Sequence, residues 1–433
     1  MLRRLILMLL PFAMSINVIA DTGSAQSSDQ SAEQYEPTDA MSSRRAVTID
    51  NWDDGGAVSR YVYLHTSEIF PTATIFRGRA VIPLEEAPNA AIGEFVVSRE
   101  NGRETTLAEY LADQDRIDGF IILHRGKVVY EAYPNMQPRQ KHQIFSVTKV
   151  FIGTVVGILD DQGKIDIDRP AADYIAELEG TAWGNIHVRD ILDMASGMEG
   201  ANESYTDPAN KHFQYEASLG LLPKTPDMPD FVKQEETYRY LASLKHLRRP
   251  GEVWEYASVN TALLAWLLEE ITGKRIDEVL SEYIWAPMGA ESDAQIIVNS
   301  KGSAATHAGM VMSLRDLARF GLLFTPSWSK TAQRRIVSED LLTRILEADR
   351  PHLVKEWLFG PRPDWLSHVA YQWDAVTNEG RLVKGGFGGQ LLYIAPESDV
   401  VIAHLGTNRS IDDAPPQLNL AELVDTFFDK PPP

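Results

Sequence analysis

A chain of 433 residues has room for two domains, or for one large domain with an inserted lobe. Its formal charge of −20 argues against a nucleic-acid surface, which needs basic patches, and gives no hold on an anionic membrane. The absence of cysteine excludes disulfides, thiolate metal sites and a cysteine nucleophile, so the chain must be held by its core.

Residues 1–20 carry Arg3 and Arg4, an apolar run from Leu5 to Ala13 and small residues at Val18 to Ala20, the pattern of a secretory signal. The run is short for a spanning helix, so no stable membrane insertion is expected after cleavage. The expected location is outside the cytoplasm, periplasmic or secreted. Residues 21–45 are polar and read as a disordered leader. Residues 46–105 form an N-terminal extension of short apolar runs and turns to which no chemistry can be assigned. The main domain is expected over 106–430.

Thr106–Ala112 has the pattern of a short helix, and Gly119–Tyr133 that of a hairpin turning at Arg125-Gly-Lys127. His142–Asp161 reads as a helix that is apolar nearly all round, hence buried. It carries Ser146 and Lys149, whose i, i+3 spacing puts both side chains on one face. Either they are a helix cap and a snorkelling lysine, or the lysine is forced neutral and activates the serine as a nucleophile. A second copy of the spacing, Ser327-Trp-Ser-Lys330, follows Pro326 in a polar segment and reads as a solvated loop. Residues 161–315 look helical, with segments at Ile186–Gly197, Glu235–Leu244, Asn260–Gly273, Ile276–Tyr283 and then Leu314–Phe324. Tyr256, Ser258 and Asn260 stand before the Asn260 helix, either as a cap or as polar groups converging on a cleft. A tyrosine near a lysine cation is expected to have its pKa lowered and to relay a proton.

The period returns to two at Val369–Val376, Gly389–Ala395 and Asp399–Leu405, and a last helix is expected near Leu418–Phe428. Lys384-Gly-Gly-Phe387-Gly388-Gly389-Gln390 enters the second of these strands. It is either a glycine-rich hairpin or an edge that offers an N–H to an oxyanion. Strands at both ends around a helical block predict an α+β fold. Its mixed sheet is closed from N- and C-terminal pieces (about 106–160 and 316–430), with an inserted all-α lobe (about 161–315). No dinucleotide fingerprint, phosphate loop, G-x-S-x-G elbow or H-E-x-x-H occurs, and adjacent carboxylates such as Asp160-Asp161 do not converge on a helix.

The order of strand pair, S-x-x-K at the start of a buried helix, helical lobe, tyrosine motif and glycine-rich strand resembles the serine β-lactamase-like superfamily. The likeness runs from about Thr106 to Thr407, in the class C and esterase branch, nearest to 6-aminohexanoate-dimer hydrolases. Lys164–Pro170, Val188–Met198, Ile284–Gly289 and Leu314–Gly321 resemble lesser landmarks of that family. The resemblance implies a β-lactamase/transpeptidase-like fold and a serine hydrolase with no metal or organic cofactor. Ser146 would form an acyl-enzyme, Lys149 and Tyr256 would move its proton, and the N–H groups of Ser146 and Gln390 would bind the oxyanion. It places Tyr205, Ser258, Asn260, Phe387, Gly388 and Gly389 as substrate-binding candidates. Two departures stand out: Ser258 where class C enzymes carry Asn, and Phe387-Gly-Gly389 where they carry Lys-Thr-Gly. Phe387 cannot pair with a carboxylate, and Lys384 would face the other side of the strand. A small ester or amide is therefore the favoured substrate. D-Ala-D-Ala carboxypeptidase or β-lactamase activity, and a non-catalytic envelope binding module, are the alternatives. The oligomeric state is not implied.

Overall fold

The computed structural model describes residues 40–429 apart from 100–101, 202, 358–359, 412 and 414–417. The expected signal, and the leader as far as residue 39, lie outside the described residues. The end of that leader is helical rather than disordered. Ala40–Ala46 is held by a 3.0 Å ion pair between Arg44 Nε and Glu68 Oε2.

The sheet at the centre has eight strands, and its middle seam joins the two ends of the domain. Val400–Gly406 pairs antiparallel with Ile117–His124, which forms the expected hairpin with Lys127–Ala132. Outward from Val400–Gly406 come Gln390–Ala395, Leu382–Gly386, Ala375–Thr377 and Leu366–His368. The closure from N- and C-terminal pieces and the fold class are as expected. Both faces of the sheet are covered, so its middle strands are apolar throughout. Ile121, Leu123, Leu392, Val401 and Ala403 pack on the side of the central helix. Phe120, Ile122, Tyr393, Val400 and Ile402 pack on the side of Leu420–Phe427.

The lobe is not all-α. A second, four-stranded sheet joins Thr72–Ile75, Ala294–Ile297, Met310–Ser313 and Lys141–Gln143. Its strands are too short for an alternating pattern to stand out in the sequence. The extension 46–105 enters the fold through Thr72–Ile75 and through the helix Gly56–Leu64. That helix sends Arg60 Nε to Asp118 Oδ1 at 2.7 Å. Asp118 also accepts from Thr407 Oγ1 (2.6 Å) and lies 3.1 Å from His142 Nε2. Burial opposes its charge, but Arg60 and His142 outweigh burial and hold its pKa below the ordinary value.

The central helix starts later than its pattern suggests. Lys141–Gln143 is a strand, Phe145–Val147 a single 3₁₀ turn, and the α-helix runs Thr148–Asp161. Phe145 has φ of 44°, a left-handed conformation that a bulky residue adopts only under constraint. Its ring is clamped between Tyr63 (4.7 Å), Trp52 (6.2 Å) and Phe387 (5.5 Å). Val369–Val376 is not a continuous strand. Tyr371 and Gln372 both have positive φ, and pairing begins at Ala375. The turn at Tyr371 packs against Gly153 so closely that a Cβ there would lie 2.4 Å from the Tyr371 carbonyl oxygen. Gly153→Ala should therefore lower unfolding stability by roughly 1–3 kcal/mol, read from denaturant melts. An unchanged midpoint would show that the turn yields freely.

Candidate active site

Ser146 sits in the 3₁₀ turn and Lys149 in the first turn of the helix behind it. Lys149 Nζ contacts Ser146 Oγ at 3.0 Å and donates to the His307 carbonyl oxygen at 3.0 Å. The lysine is fully buried. Burial, then the charge of Lys384, lowers its pKa to about 7. A base poised near neutrality thus touches a serine hydroxyl.

Tyr256, ahead of the helix Ser258–Thr272, makes a side-chain hydrogen bond with Ser146. Its ring lies between two lysines, with Lys149 Nζ and Lys384 Nζ each 4.8 Å from the centroid. The expected lowering of its pKa does not occur. Burial, reinforced by the carboxylates of Asp374 and Glu203, pushes the phenol well above its ordinary value. Tyr256 is a protonated donor rather than a phenolate.

Lys384 does not face away from the site. The strand Leu382–Gly386 ends before Phe387, which opens a 3₁₀ turn with Gly388 at φ 78°, so strand alternation does not extend from Lys384 to Phe387. Lys384 Nζ lies 3.4 Å from the Tyr256 hydroxyl and forms an ion pair with Asp374. Asp374 also accepts from Gly385 N–H at 2.9 Å. Lys384 is fully buried, and burial lowers its pKa although Asp374 opposes the shift.

The same strand corrects the expectation for Gln390. Asp374 N–H donates to the Val383 carbonyl, and Gly385 N–H points to the Asp374 carboxylate. The intervening residues, Lys384 and Gly386, therefore turn their backbone groups to the strand Gln390–Ala395. Gly386 opposes Gln390 as a hydrogen-bonded pair, which engages the Gln390 N–H. Its side chain is engaged too, with Nε2 donating to the carbonyls of Phe387 (3.0 Å) and Gly406 (2.6 Å). Phe387 N–H lies just past the last strand pair, Gly386 with Gln390, at the start of the 3₁₀ turn. Gly386, next to it, approaches the serine turn so closely that a Cβ would lie 2.8 Å from the Ile144 carbonyl oxygen.

A cleft of about 510 Å³ opens on Ser146, and Tyr205 and Phe387 line it. The other substrate-binding candidates do not. Ser258 uses its backbone N–H on Glu203 Oε1 (2.7 Å), and Asn260 is buried with Nδ2 against Met194 Sδ (3.5 Å). Gly388 and Gly389 shape the turn, where a Cβ on Gly388 would meet the Tyr63 ring. Trp52, Asp53, Glu216, Leu221 and His307 also line the cleft, and the sequence pointed to none of them. The second S-x-x-K copy, expected as a solvated loop, is a 3₁₀ turn, Pro326–Lys330, away from the cleft, with Ser327 Oγ donating to Asp399 Oδ2 at 2.6 Å.

The beta-lactamase family model matches residues 104–423. The chain is 31% identical over 365 residues to the 6-aminohexanoate-dimer hydrolase of Paenarthrobacter ureafaciens, covering 83% of this chain and 88% of the relative. A solved structure described as "Putative 6-aminohexanoate-dimer hydrolase from Bacillus anthracis" superposes with a TM-score of 0.74 at 27% identity, covering 88% of this chain and 95% of the other. A family VIII carboxylesterase shares the fold at 16% identity, with a TM-score of 0.55 over 73% of this chain and 94% of the other.

Proposed function

This chain belongs to the beta-lactamase family and is a hydrolase of the amidase or esterase type, and we propose that it cleaves a small ester or amide through an acyl-enzyme on Ser146. The contact between Ser146 Oγ and the buried Nζ of Lys149 carries this reading. Neutral Lys149 takes the hydroxyl proton as Oγ attacks the carbonyl carbon. Tyr256, protonated and hydrogen-bonded to Ser146, passes a proton to the leaving group. Water then releases the acyl group by the reverse relay. The oxyanion is held by the N–H groups of Ser146 and Phe387, the latter in place of Gln390.

The relatives named for a 6-aminohexanoate dimer support a small amide as substrate. Cell-wall peptides and β-lactams remain disfavoured, for a different reason from the one drawn at Phe387: the strand lysine does face the site, but Asp374 already neutralises it. An exported location rests on the pattern of residues 1–20 alone.

Labelling with a fluorophosphonate, read by intact mass and peptide mapping, tests the nucleophile. One adduct on Ser146 is expected, lost in Ser146→Ala together with esterase turnover. A folded protein that stays unlabelled, or is labelled elsewhere, would overturn the acyl-enzyme and favour a binding module.

A further inference from the structure

One wall of the cleft comes from Trp52, ahead of the matched region 104–423. The side chain is 4% exposed and held on three sides. Its indole N–H donates to the Leu221 carbonyl at 3.0 Å, its ring stacks on Phe145 at 6.2 Å with 9° between planes, and Phe70 meets it edge-on at 5.0 Å. The backbone that follows is anchored as well. Gly56 N–H donates to the Asn408 carbonyl at 2.7 Å. Gly55, at φ 103°, packs so closely that a Cβ would lie 2.6 Å from Ser410 Cα. The next residue, Ile411, lines the cleft too.

Phe145 and Leu221, two of the partners of the indole, line the cleft with it. Phe145 is also the residue before the nucleophile, so the indole stands one stacked ring from the serine turn. Leu222, Phe387 and Ile411 extend the wall, and all of these side chains belong to or pack against one hydrophobic cluster. A side chain that is buried, stacked and hydrogen-bonded cannot swing aside without giving up those contacts. A substrate group that reaches Trp52 therefore meets a fixed surface. In an apolar pocket, one methylene too many or too few is worth about 10 to 200-fold in discrimination.

We propose that Trp52 is the size stop of this cleft. It sets the longest straight chain that the ester or amide substrate can carry on the part lying against it, and it does so from outside the segment that matches the family. The proposal rests on the acyl-enzyme reading and adds the length of the substrate and the residue that reads it.

The test uses 4-nitrophenyl esters of straight-chain acids from acetate to decanoate. A parallel series of acetate esters lengthens the alcohol instead. In one series kcat/KM should rise with chain length and then fall by about tenfold or more over a single methylene. In Trp52→Ala that fall should move to longer chains, and the ratio of the first excluded ester to the last accepted one should rise by about tenfold or more. Trp52→Phe keeps a ring against Phe145 but shortens the wall, so it should relax the limit in part; it carries the test if the alanine variant does not fold. The readout is a ratio within one variant, so a loss of rate common to all lengths cancels. Fluorophosphonate titration of each variant gives the folded, active fraction. Length profiles that coincide in wild type and every variant that labels, or no limit in either series, would overturn the proposal while leaving the acyl-enzyme intact. Failure to hydrolyse even the shortest ester or to label Ser146 would overturn the acyl-enzyme reading and this proposal with it.

Discussion

Lys149→Arg should lower kcat for any ester the protein hydrolyses by about 10² to 10⁴-fold, because arginine stays protonated and cannot accept the Ser146 proton. Ser146→Ala should lower it further, on the order of 10⁴ to 10⁶-fold, down to what the cleft achieves by binding alone. The pH profile separates a base from a merely structural cation. The working form of Lys149 is the neutral one, and burial with the charge of Lys384 brings its pKa to about 7. kcat/KM in the wild type should therefore rise with pH through about 7 and then level off. Lys384→Met removes one of the two main causes of that lowering and should move the rising limb to higher pH. Full activity in Lys149→Arg would exclude lysine as the base. A limb that stays in place in Lys384→Met would show that the two ammonium groups are not coupled.

Asp374→Ala should cost about 3–5 kcal/mol of stability, since it leaves Lys384 buried without its counter-charge. Asp374 also accepts from Gly385 N–H, so the strand that leads into the Phe387 turn loosens as well. The double variant Asp374→Ala with Lys384→Met should recover most of the loss, because an apolar pair needs no compensation. Denaturant unfolding of the two single variants and the double variant closes the cycle. A double variant no more stable than Asp374→Ala would show that the aspartate acts through Gly385, not through the lysine.

Ser146 and Lys149 were legible because their relation is local: three positions apart, within one turn of chain. The order of strands and helices was legible because apolar periods changed where elements changed. The true start of the helix was hidden, since nothing in the sequence marks Phe145 as left-handed. Lys384 was turned the wrong way by carrying strand alternation through what is a turn at Phe387, and the same misplacement assigned the oxyanion to Gln390. Beyond Ser146, Tyr205 and Phe387, the cleft wall left no sequence signal. Trp52 meets Leu221 across 169 residues, and Lys149 meets the His307 carbonyl across 158. Such contacts have no period and no spacing rule.

The middle seam of the sheet has a consequence for how the protein is made. Asp118 and Thr407, which share a hydrogen bond across it, are 289 residues apart. Ser146, Lys149 and Tyr256 all leave the ribosome long before Val400–Gly406 can lie against Ile117–His124. Until then the strand Ile117–His124 has an open edge where that partner belongs, and the serine turn lacks the Phe387 strand that closes beside it. Contacts of such range make folding slow and place the decisive step after Val400–Gly406 has emerged. The nucleophile is among the earlier parts of the site to be made, and its assembly into a working centre is among the last events in the life of the nascent chain.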